Sequence, residues 1–252
     1  MRVFVTRPEA EAGRWVADLR EGGFDAVAFP LIAILPVSDP APLRAAWARL
    51  ASYRAVMFVS GNAVRHFFDH SPAGADWPAT TRAWATGAGT RHALAGAGVD
   101  SARIDAPPAD SAQFDSETLW TQVAGQVRPA DRVLLVRGGD AQGRASGRDW
   151  LAEQVAAAGA QVETVVSYRR AAPQLGDDER GLAAAPDGVW LFSSSEAIGH
   201  LVSAMPAHSW QSARAIATHP RIAQAARSAG FGVVCESRPG LSAVVRVLES
   251  FR

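Results

Sequence analysis

The chain has 252 residues, 48% apolar and 20% charged, with a formal net charge of zero, which describes a globular protein with a sizeable core and argues against a surface that wraps a polyanion. All 25 basic residues are arginine and none is lysine, which excludes a Walker-type phosphate loop, a lysine Schiff base and lysine-linked pyridoxal phosphate. No apolar run nears the ~20 residues of a bilayer span, and the opening "MRVFVTRPEAEAG" lacks the apolar segment of a signal peptide, so the expectation is a cytoplasmic protein with neither membrane nor nucleic-acid partners.

Along the chain, short apolar runs alternate with longer amphipathic ones, the pattern of βαβ units in a parallel sheet. "RVFVT" (2–6) reads as a strand, followed by Pro8 as a first helical residue with Glu9 and Glu11 in the first turn. Gly22-Gly23 end that helix and "DAVAFP" is the next strand. "LIAILPV" (31–37) is extended and follows with no helix between. Strand–helix units are then predicted at 55–70, 82–96, 102–125 and 132–159. "QVETVVSYRR" (161–170) is again extended and fits no βα unit. Further units cover 188–204, 213–229 and 232–252. The last includes the lone Cys235 in "GVVCES", expected to be an inert core residue of a strand with no disulfide partner, as suits a reducing compartment.

The two halves resemble each other. "VMFVSGNAVRHFF" matches "VWLFSSSEAIGHLV", "AWATGAGTRHALAGAG" matches "AIATHPRIAQAARSAG", and "VFVTRP" matches "VLLVRG". Offsets near 130 residues suit a duplicated domain, not a solenoid. The predicted fold is therefore α/β: two similar doubly wound, flavodoxin-like domains with parallel sheets covered on both faces. The two extended stretches, near 31–37 and 162–170, are read as linker strands forming a two-stranded antiparallel ladder. Residues 1–35 and 171–252 then make a discontinuous first domain, with 36–170 inserted as the second.

Several motifs fail on inspection. "GAGTRH" (87–92) lacks the third glycine of a dinucleotide fingerprint, His92 standing there, and helix packing explains it. His66 and His70 share a helix face, but Phe67 occupies the glutamate place of a zincin motif and no third ligand follows, so a solvated helix face is the better reading. Ser60 and Ser194 lie outside any G-x-S-x-G elbow. No cofactor and no metal is expected.

What remains points to anion capture. Strands that end in small polar residues at a helix start, at Ser60-Gly61-Asn62 and again at Ser193-Ser194, present backbone N–H groups. The loop "RGGDAQGRASGRDW" (137–150) brings Arg137, Gly138, Arg144 and Arg148 to a strand end, as either a carboxylate or phosphate binder or a solvated loop. Arg7 and Arg238 sit at similar strand ends. Ligands of doubly wound sheets bind outside these carboxyl ends; two such domains facing each other form a cleft for a large, multiply anionic molecule. Tyr168, in the returning strand, is either a proton donor there or a packed hinge residue.

Taken together, "VFVTRPEAEAGRWVADLREGGFDAVAFPLIAILP", "VMFVSGNAV", "ATGAGT", "LLVRGG…GRDWLAEQVAAAGAQVETVVSYRR" and "WLFSSSEAIGHL" resemble the uroporphyrinogen-III synthase family over essentially the whole chain. The resemblance implies two α/β domains joined by a ladder and cofactor-free cyclisation of hydroxymethylbilane, a linear tetrapyrrole with eight carboxylates, with loss of water and inversion of ring D, as part of haem biosynthesis. It implies Tyr168 as the catalytic residue and Thr90 as a substrate contact. Ser60, Gly61, Asn62, Arg7, Arg137, Gly138, Ser193 and Ser194 are the further expected contacts, and the protein is expected to be a monomer. Where the family often carries a Gly-Pro-Thr-Thr-like turn, this chain reads "THPRIA" (218–223); Arg221 stands in a threonine's place and is a candidate carboxylate partner. The competing class is a two-lobed, non-catalytic protein that closes on a multiply anionic small molecule.

Overall fold

A computed structural model describes residues 1–108, 116–147, 149–186 and 188–251. β1 (Arg2–Val5) leads into α1 (Glu9–Glu21), whose acids Glu9 and Glu11 lie in the first turn and Arg20 in the last, complementing the helix dipole. Its buried face is Ala12, Val16 and Leu19, the i, i+4, i+7 spacing of a helix against a sheet. Gly23 at φ +77° makes the turn into β2 (Asp25–Ala28). The chain continues through β3 (Ala33–Pro36), α2 (Ala41–Ala48), β4 (Ala55–Phe58), α3 (Gly61–Phe68), β5 (Arg82–Ala85), α4 (Ala88–Gly96), β6 (Ile104–Asp105) and α5 (Ser116–Val123). Then come β7 (Arg132–Gly139), α6 (Trp150–Ala157), β8 (Gln161–Ala171), α7 (Asp177–Ala183), β9 (Gly188–Phe192), α8 (Ser195–Ala204), β10 (Arg214–Ala217), α9 (Pro220–Ser228), β11 (Val233–Glu236) and α10 (Leu241–Glu249). The unit predicted over 102–125 includes 109–115, and the predicted Arg-bearing loop includes Arg148; both lie outside the described residues.

The chain divides into two compact units, one of residues 1–33 with 171–252 and one of residues 34–170. The first carries a sheet ordered β2-β1-β9-β10-β11, every pair parallel. Numbered within the unit this is 2-1-3-4-5, the flavodoxin order. The second carries β3-β8-β7-β4-β5-β6, parallel from β8 to β6. The two orders superpose if β7 and β8 stand for β1 and β2, and β4, β5 and β6 for β9, β10 and β11. This explains the internal repeat: each sheet combines the first two strands of one sequence repeat with the last three of the other.

Side-chain alternation along the strands feeds two cores in the second unit. Val56, Phe58, Leu134 and Val136 pack with Leu43, Trp47, Phe67 and Leu94 on the α2–α4 side. Ala55, Met57, Trp84, Val133 and Leu135 pack with Leu119, Val123, Leu151 and Val155 on the α5–α6 side. In the first unit Val3, Val5, Val189 and Leu191 meet Val16, Leu19, Val244 and Leu248. On its other side Phe4 stacks on Trp190 with centroids 4.4 Å apart.

One expectation is corrected. Residues 162–170 are not a linker outside the βα pattern: β8 pairs parallel with β7 from Arg132↔Gln161 onward, with α6 between them, as an integral strand of the second sheet. Glu163 and Thr164 interrupt its apolar run, which hid its place as a buried strand of the parallel sheet. Glu163 is tolerated because Arg132 and Tyr53 hydrogen-bond its carboxylate. β3, shorter than the predicted 31–37, is the neighbour of β8 at the sheet edge.

Candidate active site

Because β4, β5, β7 and β8 run parallel, their carboxyl ends share one edge of the second sheet. There β4 gives way to α3 through Ser60, whose extended backbone (φ −166°, ψ 164°) makes it the helix cap; its Oγ accepts the Ala63 N–H at 3.1 Å. The same Oγ lies 3.3 Å from the hydroxyl of Tyr168, near the end of β8 and 108 residues away in sequence. Asn62 is buried in the first turn and its Oδ1 accepts from Arg65 at 2.9 Å. Gly61 faces α4, where a Cβ would sit 3.7 Å from that of Ala93, and Thr90 is buried in that helix.

Tyr168 is aimed by an irregularity in the strand pair. Arg137 pairs with Val166 but Gly138 pairs with Tyr168, so Ser167 is an extra residue and the side chains beyond it change face. Ser167 is fully buried, its hydroxyl donating to Ala63 O at 3.3 Å and Arg137 O at 3.5 Å, which pins the bulge to α3 and β7. Gly138 then lies against the phenol: a Cβ there would be 2.5 Å from Cζ and 2.8 Å from the hydroxyl oxygen. Only glycine leaves room for the ring. Gly138 thus has a steric role beside the contact role expected of it.

Arg137 is buried at 4% exposure and ion-paired with Asp149. Gly147, at φ +117°, closes over it; a Cβ there would come 2.7 Å from the guanidinium. Arg144 instead is exposed and bound to Asp140 at 2.8 Å. His66 departs from the solvated helix face expected of it: its side chain is 15% exposed and its ring stacks on that of Tyr168, centroids 5.8 Å apart and planes 28° apart. Burial holds His66 below the ordinary histidine value; Asp69 opposes this, while Arg65 and His70 add to it, which favours the neutral imidazole.

The first unit has a carboxyl edge of its own. Arg7 follows β1, binds Glu11 at 3.1 Å and lies 4.5 Å over the ring of Trp15. Its buried Nε makes no hydrogen bond among the described residues. Ser194 caps α8, accepting the Glu196 N–H at 3.2 Å, the counterpart of Ser60, with Ser193 beside it. His219 caps α9 by accepting the Arg221 N–H at Nδ1, leaving Arg221 exposed in the first turn. Among the described residues no three His, Cys, Asp or Glu side chains are grouped to hold a metal, and no helix is long and apolar enough to cross a membrane.

Residues 13–246 match the family model described as uroporphyrinogen-III synthase HemD. The chain belongs to the uroporphyrinogen-III synthase family. A uroporphyrinogen-III synthase from Chlorobaculum parvum is 29% identical over 186 residues, 71% of this chain and 67% of that protein. The porphyrin biosynthesis protein HemD of Ruminiclostridium josui is 29% identical over 137 residues, and the match spans about a quarter (26%) of its length. Among solved structures, a mutant uroporphyrinogen III synthase from Thermus thermophilus aligns over 99% of this chain and 98% of its own, with TM-score 0.59 at 19% identity. The Helicobacter pylori enzyme aligns over 100% of both chains with TM-score 0.62 at 15% identity. Those two likenesses establish a shared α/β fold with parallel sheets. Family membership places the chain among the enzymes of porphyrin biosynthesis.

Against the sequence expectations for this synthase family, Ser60, Gly138 and Tyr168 come into direct contact, while Gly61, Asn62 and Thr90 line the same sheet edge. His66, Ser167 and Asp149 are not among the expected site residues. A histidine inside "RHFFDH" gives no sign of a tyrosine about a hundred residues away, and a register shift leaves no mark in composition.

Proposed function

We propose that this protein cyclises hydroxymethylbilane to uroporphyrinogen III, with inversion of ring D and loss of water, and that Tyr168 is its proton donor. The observation that carries the assignment of Tyr168 is the 3.3 Å approach of its hydroxyl to Ser60 Oγ at the amino end of α3. In the proposed step the bond between the terminal methylene carbon and its hydroxyl oxygen breaks. The oxygen takes the phenolic proton and leaves as water, giving an azafulvene cation and a phenolate. Negative charge developing on the phenol oxygen then sits beside a helix N-terminus and a hydroxyl able to donate to it. A proton lost from the pyrrole at ring closure restores the phenol.

The remaining task is restraint. An unheld bilane closes at its free ring D carbon to the symmetric type I isomer, whereas inversion needs attack from the substituted carbon through a strained spiro intermediate. Arg7, Ser193, Ser194 and Arg221 in the first unit, with Ser60, Gly61, Asn62, Thr90, Arg137 and Gly138 in the second, are the proposed anchors for a substrate bearing eight carboxylates. The two chain crossings, in β3 and the end of β8, are the proposed two-stranded hinge. The protein works as a cytoplasmic monomer without cofactor, metal, nucleic acid or membrane. Turnover of freshly made hydroxymethylbilane well above the spontaneous rate tests this reading; tight binding with no turnover favours a two-lobed binding protein instead.

A further inference from the structure

We propose that His66 is a positioning residue for Tyr168, its imidazole packed on the phenol ring so that the hydroxyl stays on Ser60. The proposal rests on the synthase reading above. Tyr168 belongs to the buried core on the α2–α4 side, and three named contacts touch the phenol itself. Gly138 gives the ring its space but does not hold it. Ser60 holds only the hydroxyl, through one hydrogen bond that at 3.3 Å is longer than the 2.7–2.8 Å usual between oxygens. Core packing confines the ring, and the 5.8 Å stack with His66 is the aromatic contact that sets its orientation against α3.

Both partners belong to one helix. Ser60 caps α3 and His66 lies six residues further on, about 9 Å along the axis at 1.5 Å per residue. A rigid template therefore touches the phenol at its hydroxyl and on its ring. α3 is itself held, since Trp47 Nε1 donates to Phe67 O at 2.7 Å and Ser167 donates to Ala63 O at 3.3 Å. Asp69, Arg65 and His70 are the charged or titratable neighbours of the imidazole. None of them is needed for a ring-on-ring contact, so a neutral aromatic ring should serve in its place.

Two readouts separate this role from the function itself. His66→Ala should lower kcat about tenfold, well within what a misplaced group costs, with KM changed less than twofold, and His66→Phe should restore most of the loss. In a Tyr168→Phe background, His66→Ala should cost no further kcat, because the hydroxyl it positions is gone. The chain has two tyrosines, Tyr53 and Tyr168, so 19F spectra of fluorotyrosine-labelled protein give one line each, assigned by Tyr53→Phe. His66→Ala should shift the Tyr168 line and leave that of Tyr53 in place. Wild-type kcat in His66→Ala, an equal loss in both backgrounds, or an unmoved Tyr168 line each overturns the proposal. Wild-type protein without turnover, but with the shifted line, overturns the synthase reading and leaves the contact standing.

Discussion

Tyr168 is 5% exposed, so little of its side chain is open to solvent, and its hydroxyl lies 3.3 Å from Ser60 Oγ. Tyr168→Phe keeps the packing and removes the proton; kcat should fall about 10²-fold with the thermal midpoint nearly unchanged. Full activity in that variant would make the tyrosine a packing residue. Gly138→Ala adds a carbon 2.5 Å from Cζ; it should destabilise the protein by about 1–3 kcal/mol and also depress kcat, because the phenol must move. A variant that loses stability alone would show that the ring finds another productive position. The sequence nominates Tyr168 through its strand and its family resemblance. The steric role of Gly138 was not, since it depends on the extra residue at Ser167.

At the scale of elements, the amino end of β8 carries a clasp at the end of the strand opposite Tyr168. Glu163 receives Arg132 and, at 2.8 Å, the Tyr53 hydroxyl, with Arg49 at 3.3 Å. Burial pushes the Glu163 carboxyl up, but the hydrogen bonds from Arg132 and Tyr53 and the charges of Arg132 and Arg49 outweigh it, leaving it below its usual value. Burial first, then the hydrogen bond to Glu163, pushes Tyr53 up to about 12. A depressed carboxylate contributes stability above its unfolded value and loses it as pH falls through the folded one; a raised tyrosine loses its contribution as pH rises through about 12. Melting curves of wild type and Glu163→Gln should therefore differ most near neutrality and converge in acid. A gap that persists undiminished below about pH 3, under the ordinary carboxylate range, would contradict the clasp. The caps offer a second comparison. Ser60→Ala and Ser194→Ala should each cost about 1 kcal/mol in stability, but Ser60→Ala should lower kcat, since Ser60 touches the phenol, whereas Ser194→Ala, at a proposed substrate anchor, should act chiefly on KM. Most strand–helix units were readable from alternation; β8 was readable as an extended strand but not as a member of the parallel sheet, because its polar residues are satisfied by side chains from elsewhere in the chain.

For the whole molecule, the duplication visible as offsets near 130 residues corresponds to two sheets of equivalent order, each assembled from parts of both repeats. The expectation of a discontinuous first domain came from the two extended stretches near 31–37 and 162–170; comparison of the halves reveals only the repeat, because strand order is a property of pairing. Arg7 and Arg221, at the carboxyl edge of the first sheet, are proposed to grip carboxylates through partly exposed charge. Arg7→Gln and Arg221→Gln should raise KM more than they lower kcat, and the difference from wild type should widen at low salt, where screening is weakest. The identity of the product tests the account most directly, because hydroxymethylbilane disappears unaided. Protein incubated with fresh hydroxymethylbilane, with no added metal or cofactor and with or without chelator, should yield after oxidation predominantly uroporphyrin III on chromatography. Uroporphyrin I alone, formed at the rate seen without protein, would contradict it.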